Sequence, residues 1–423
     1  MLQRPLEHGA YVVDLRRDET DIPLAGDADS PARAGAVGEL EQPIGLRLPQ
    51  SVLLRRRTDV DGEERFWMLE TIREFASERL EASGEEDALR RAQADRLLEL
   101  ADRAGTRAIV DVPRPWDFDL VAPELDNVRA VLEWALEHDP ERGLALATSL
   151  ESFWVVRDPV EGASFLERLL DLSPDAEPEL RAHALRALGG AFDIFGEPER
   201  AAPCYQRSLE LFAAVGDDMQ AANVRVRAAA NMIFRGEAAA AWPILEDALG
   251  KFRDLDMRRS EGEVLGFLSD KAYRENDLAL AVDLSLESAA IAREVGWAWW
   301  EAGQLNGAAS IERERGNLDA AEGHALRSLE LSSSLGDRQH VLFAAAELAI
   351  IAAARGDAAR AGRLWGAVES EAASGPVGQW EKWREELEGL VLRADGFPFS
   401  QARAEGSLLS IAEAAGLETV QIG

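Results

Sequence analysis

One cysteine, Cys204, stands among 423 residues. No disulfide can close within such a chain, which excludes a disulfide-stapled scaffold and fits a reducing cytoplasm. Histidine is scarce too. His8, His138, His183, His324 and His340 show no zinc-ligand spacing with one another or with the cysteine, and H-E-x-x-H is absent. The glycine patterns G-x-x-x-x-G-K-[ST], G-x-G-x-x-G and G-x-S-x-G are missing, so no phosphate loop, dinucleotide fingerprint or nucleophile elbow can be read. No apolar run reaches the ~18 residues of a membrane span, and the opening MLQRPLEHGAYVVDLRRDET has no signal-peptide core. Positive charge is in short supply: 46 Lys and Arg stand against 78 Asp and Glu, a net charge of −32. Such a chain repels phosphate backbones and anionic lipid, which argues against direct nucleic-acid or membrane binding and favours basic partners. No cofactor, metal or catalytic set is expected.

What is present is a repeat. Gly196, Gly236, Asn276, Gly316 and Gly356 follow one another at forty-residue steps. Five positions after each comes an alanine: Ala201, Ala241, Ala281, Ala321 and Ala361. Seven positions before each comes Gly189, Ala229, Ser269, Ala309 or Ala349, and twelve after the first four come Ser208, Ala248, Ser288 and Ser328. Each unit reads as two helices joined at the glycine or asparagine, which tolerates the left-handed conformation that closes a helix. The acid or amide beside it, as in RGEAAA, ENDLAL and RGDAAR, can cap or charge-match the next helix. The small residues let the paired helices approach. One pair cannot bury its own apolar face, so neighbours stack into a continuous core.

This phasing resembles the tetratricopeptide repeat, whose small residues fall at the eighth, twentieth and twenty-seventh places of a unit of about 34 residues. The proline that usually ends the second helix is absent. That helix runs on to Gly216, Asp256, Gly296 and Gly336, lengthening the period to forty. The resemblance implies an all-α, right-handed tetratricopeptide-type superhelix.

Residues 1–50 carry no sustained period and are expected to be loosely ordered, with Tyr11 to Leu15 a short strand at most. SVLLRRRT and RFWMLET read as strands around the turn Asp61-Gly62, followed by an amphipathic helix with Leu69, Ile72, Phe75, Ala76 and Leu80 on one face. Arg55-Arg56-Arg57 is the one compact basic run, read as solvated arginines facing acids across the hairpin. The phrase MLETIREFASERL, with DALRRAQADRLLELADRA, Pro123 to Asp158 and Phe397 to Leu417, resembles the sensor region of large LuxR- and AfsR-type bacterial transcriptional regulators of the signal-transducing ATPase class. That resemblance implies that the hairpin is the remnant of a winged helix. It implies also that the chain is the sensor portion of such a regulator without its ATPase and DNA-binding modules.

The expected organisation is a poorly ordered segment (1–50), a winged-helix remnant (51–84), connecting helices with a diverged first repeat (85–178), phased repeats (179–370) and capping helices (371–423). In the tetratricopeptide register the groove-facing places hold His183, Arg186, Asn223, Glu263, Asp270, Tyr273, Asn306 and Arg313. Asn223 and Asn306, then Arg186, Arg313, Tyr273 and Asp270, are the candidate ligand contacts. The mixed charge of this set does not repeat a basic carboxylate clamp. Trp297, Trp299 and Trp300 are expected to pack between consecutive repeats with rings on different sides of a helix start. The expected function is a non-enzymatic scaffold binding a protein, a peptide or a small effector in its groove. A second reading is a truncated or decayed ATP-dependent activator whose nucleotide module is encoded upstream. An enzyme using groove carboxylates is a third.

Overall fold

The computed structural model describes residues 54–58, 64–68, 70–106, 117–375, 377–394 and 396–417. The readings of residues 1–50 and of the turn Asp61-Gly62 lie outside them. Two strands, β1 (Leu54–Thr58) and β2 (Glu64–Met68), pair antiparallel with Leu54 opposite Met68. All other regular structure among the described residues is helical. Helix α1 (Glu70–Ser83) stops at Gly84, whose φ is +73°. Helix α2 (Glu86–Arg103) follows.

A compact block follows: α3 (Phe118–Val121), α4 (Leu125–His138), α5 (Pro140–Ser149), α6 (Glu151–Arg157) and α7 (Pro159–Leu172). Its breaks come from Asp-Pro pairs. A residue before proline is pushed out of the helical region, and Asp139 and Asp158 then accept bonds from Arg142 N–H and Glu161 N–H as N-caps. Bulk fills this core: Leu132, Leu144, Phe153, Trp154 and Leu166 are all buried.

The array then alternates inner and outer helices. The inner ones are α8 (Pro178–Ile194), α10 (Asp218–Phe234), α12 (Arg258–Arg274), α14 (Ala298–Glu314) and α16 (Arg338–Ala354). The outer ones are α9 (Pro198–Val215), α11 (Ala238–Asp254), α13 (Leu278–Glu294), α15 (Leu318–Leu335) and α17 (Ala358–Ala372). Each helix packs chiefly on the one before and the one after it, which makes the chain an all-α solenoid of stacked helices. The inner-to-outer turns share one geometry. Asn276, with φ +62°, stands where the other units have glycine, and Asp277 N–H bonds back to the Ala272 carbonyl, closing the helix as the glycine units do. Only part of the expected capping forms: Asp277 and Asp357 cap α13 and α17 through their carboxylates, whereas Glu197, Glu237 and Asn317 make no side-chain cap.

The small positions form the seam between inner and outer helices. All five alanines at +5 have no exposed surface. The serines at +12 add a bond: Ser208, Ser288 and Ser328 donate to the Ala182, Gly262 and Ala302 carbonyls at 2.7, 2.6 and 2.8 Å.

Beyond the array lie α18 (Trp380–Val391), α19 (Phe397–Gly406) and α20 (Ile411–Ala415). Helices α19 and α20 are separated by Ser407 to Ser410. Ser410 starts the second with a capping box, its hydroxyl accepting from Glu413 N–H while the Glu413 carboxylate accepts from Ser410 N–H.

The inner layer also closes on itself. Gln379 Nε2 donates to the Asp193 carbonyl at 2.8 Å, 186 residues away in sequence. The Arg157 guanidinium packs on Gly336, and Leu335 joins the core built by α4 to α9. The beginnings of α16 and α18 thus return to the ends of α6 and α8.

Candidate ligand-binding face

The inner helices carry charge where a core would be apolar. On α8 His183 and Arg186 lie one turn apart, on α10 Asn223 and Arg227, and on α12 Arg259 and Glu263, so each pair shares a helix face. Arg186 Nη2 meets Glu151 Oε2 of α6 at 2.6 Å with both side chains buried. Arg227 Nε meets Glu263 Oε1 at 3.0 Å, joining α10 to α12, and keeps 24 % of its side chain open to water. Arg313 Nε meets Glu347 Oε1 at 2.6 Å, joining α14 to α16. The Arg259 guanidinium lies 4.3 Å from the centroid of the Trp297 ring, a cation–π arrangement.

Burial sets the electrostatics. It pushes the Arg186 guanidinium down from its ordinary value, against the pull of Glu151. It pushes Arg259 down to about 10: Glu263 works against that, while Arg227 and Arg186 add to it. Glu347 is raised by burial despite Arg313. Asp193 is raised to about 6 by burial, although Asn231 and Tyr205 donate to its carboxylate at 2.7 and 2.8 Å. Arg186, Arg227 and Arg259 share one field with Glu151 and Glu263. Asp193 faces Arg227 as well, so three guanidiniums meet three carboxylates, one of them with its pKa raised to about 6.

The proposed contacts separate into three groups. Asn223, 7 % exposed, and the half-buried Asn306 each have a buried side-chain oxygen with no hydrogen-bond partner among the described residues. Arg186 and Arg313 are bound in ion pairs. Tyr273 and Asp270 sit at the far end of α12 near the surface, the first donating to Glu314 at 2.8 Å and the second accepting from Arg274 at 2.9 Å. The structure therefore brings Asn223 and Arg186 to one patch and leaves Tyr273 and Asp270 outside it. Glu151, Arg227 and Arg259 were missed. Glu151 belongs to the block without repeat phase, and the two arginines stand four residues from a groove-register position, where helical spacing could have found them.

The tryptophans depart from expectation as well. Trp297 and Trp300 stack at 5.0 Å and 12°, with Trp299 within 6.4 Å of Trp297 and 6.2 Å of Trp300. Trp297 is the N-cap of α14 with φ −96° and ψ 70°, so its ring folds back over the first turn instead of following the helical spiral. Cys204 is buried, and burial raises its thiol to about 11, which leaves little thiolate near neutral pH.

Among the described residues no group of three or more His, Cys, Asp or Glu could hold a metal ion, and no helix is long and apolar enough to cross a membrane.

No protein-family model matches the chain. HTH-type transcriptional regulators of Mycobacterium tuberculosis and Mycobacterium bovis are 32 % identical over 254 residues, covering 55 % of this chain and 28 % of theirs. The chain therefore spans well under a third of the length of these relatives. Among solved structures, a Rap protein complexed with competence and sporulation factor matches with TM-score 0.50 at 15 % identity, covering 78 % of this chain and 89 % of that one. NprR in complex with its cognate peptide NprX matches with TM-score 0.46 at 15 % identity over 68 % of this chain and 84 % of that one. These findings overturn the resemblance to a fragment of a LuxR- or AfsR-type ATPase regulator. They point to HTH-type regulators and to the helical-repeat architecture of the Rap kind. The phrase MLETIREFASERL carried that resemblance, but its spacing specifies an amphipathic helix after a strand and no particular family. The decayed ATP-dependent activator rested on the same resemblance and falls with it.

Proposed function

We propose that this chain is a non-enzymatic, effector-sensing scaffold of a transcriptional regulator, of tetratricopeptide type and right-handed, that binds a peptide on the inner face of α8, α10, α12 and α14. The observation that carries the reading is the pair of unpartnered amide oxygens. Asn223 and Asn306 each hold a buried side-chain oxygen without a partner among the described residues, and a buried acceptor without a partner costs about 1–3 kcal/mol. A peptide backbone N–H supplies the missing donor, and the guanidiniums of Arg227 and Arg259 suit a carboxylate on the same ligand. The Rap match supports the architecture, and the HTH-type relatives support the regulatory setting. In this reading residues 179–370 bind and residues 371–423 cap the array. The interaction is with protein or peptide, with no direct nucleic-acid or membrane contact, in the cytoplasm.

Affinity capture from the native lysate, with bound peptides identified by mass spectrometry, tests this. Asn223→Ala and Asn306→Ala together should abolish capture while leaving the melting temperature within a few degrees of the wild type. Unchanged capture would show that the ligand does not use these amides. Charge reversal at Arg186 is a poor probe, because it would set two carboxylates together in the core.

A further inference from the structure

The array comes back on itself at one joint, and that joint is built unlike the rest. Within the array each helix lies along its neighbour. Across the joint no helix among the described residues lies along another, and only ends meet. The contact between α18 and α8 is polar. Gln379, just before α18, donates through Nε2 to the Asp193 carbonyl, and its backbone N–H donates to Gln339 Oε1 of α16 at 2.9 Å. The exposed Lys382 lies against Gly196. The apolar part is Leu335, with Ala298 and Trp299 partly buried against the same core. An element held by few buried apolar contacts opens at a lower free energy than the body it belongs to.

The joint also shuts in a charge without a counterion. Arg157, the last residue of α6, is half-buried, with its guanidinium on Gly336 and 5.8 Å from the centroid of the Phe118 ring. Its Nε is buried with no hydrogen-bond partner among the described residues. Asp119 and Asp337 act on it only through the field. Asp337 is engaged elsewhere: its carboxylate accepts from the His340 backbone N–H at 3.2 Å and meets His340 Nδ1 at 2.5 Å. Burial accordingly pushes the Arg157 guanidinium below its ordinary value. Shutting the joint therefore strips water from a cation and returns no ion pair in exchange.

We infer that the array opens and closes at this joint as a two-state element, with Gln379 and Leu335 holding it shut and Arg157 favouring the open form. Opening hydrates Arg157, uncovers Leu335 and Trp299, and carries α16 and α18 away from α6 and α8 while the alanine and serine seams stay intact. A substitution shifts such an element by as much as it discriminates between the two forms. The inference does not rest on the function proposed above.

The test uses the full chain with Cys204→Ser and nitroxide labels at Glu199→Cys on α9 and Glu385→Cys on α18, both exposed positions. Pulsed electron paramagnetic resonance reads the distance between the labels. With the joint otherwise intact it should show a short, narrow population and a longer, broader one. Gln379→Ala removes one hydrogen bond from the closed form and should raise the ratio of open to closed about fivefold. Arg157→Met keeps the length of the side chain, removes its charge and should lower that ratio about fivefold. Opposite shifts from two substitutions in one joint separate this device from general loosening, which both would produce in the same sense. A single distance in all three proteins, or a ratio that Arg157→Met raises or leaves unchanged, would overturn the inference. Neither substitution touches Asn223 or Asn306, so failure here leaves the test of the proposed function unaffected.

Discussion

The seam between inner and outer helices and the interior face of the inner helices are built by opposite rules. At the seam the outer helices repeat: alanine at +5 five times without exposed surface, and serine at +12 three times with the same bond to the backbone of the preceding inner helix. Toward the interior nothing repeats. The position that holds His183 holds Asn223 in the next unit, Glu263 in the third and Gly303 in the fourth. Seam contacts are equivalent in every unit, so the same residue serves each time. The interior must differ from unit to unit if it is to recognise something that is not itself periodic. Under the proposed function, departure from the repeat marks the ligand-facing side, and adherence to it marks packing.

The contrast can be broken hardest where the seam is tightest. Where the last outer helix, α17, meets α19 beyond the array, the packing turns to glycine: a Cβ on Gly366 would lie 2.0 Å from the Arg403 carbonyl oxygen, and one on Gly362 2.2 Å from that of Phe399. Gly366→Val should force α19 off α17 and cost about 3 kcal/mol or more. Hydrogen exchange should then rise over residues 397–417 while α8 to α15 stay protected. Wild-type protection throughout would mean that the cap is not held by this contact.

Interior substitutions come next, and their signature differs. Arg186→Met leaves Glu151 buried without its cation and should destabilise by about 3–5 kcal/mol. Adding Glu151→Gln should recover most of that loss in a denaturant titration, because the cost is the unpaired charge and not lost packing. A seam residue has no such rescuer.

Asp193 sharpens the comparison through pH. Its folded value of about 6 lies above the ordinary 3.8, because burial outweighs the bonds from Asn231 and Tyr205. The folded state thus holds its proton more tightly than the unfolded chain does. This group's stabilising effect is complete below about pH 4, declines as pH rises to about 6, and is absent above; the span is about 3 kcal/mol at most. Unfolding free energies at pH 4 and pH 7 for the wild type and Asp193→Asn check this. The difference between the two proteins should change by that amount, and a constant difference would remove Asp193 from the interior's charge balance.

The seam was legible in the sequence because its residues recur at a fixed step, and turn glycines with positive φ fall where the step places them. The interior was half legible. Helical register found Asn223, Arg186 and Glu263, but an ion pair across helices, such as Arg227 with Glu263, depends on side-chain reach that no spacing rule encodes. Glu151 was invisible, since it enters the site from α6, outside the phased array. The tryptophan stack was misread because a helix period was applied to Trp297, which precedes the helix.

The smallest effect is the most diagnostic of periodic design. Ser328→Ala removes one hydroxyl and leaves the Ala302 carbonyl, already bonded within its helix, without its second donor, at a cost of about 1 kcal/mol. Ser208→Ala should cost the same, since its bond to Ala182 has the same length to within 0.1 Å and spans the same 26 residues. The second unit has made this substitution already: Ala248 stands in place of the serine and is half-buried where the serines have no exposed surface. Ala248→Ser should therefore return less than Ser328→Ala removes, because water already solvates the carbonyl it would meet. Matched chemical denaturation of the three variants measures the pattern. Equal and opposite changes at 248 and 328 would mean that the serine bond acts independently of burial, and that the seam is less uniform in its physics than in its sequence.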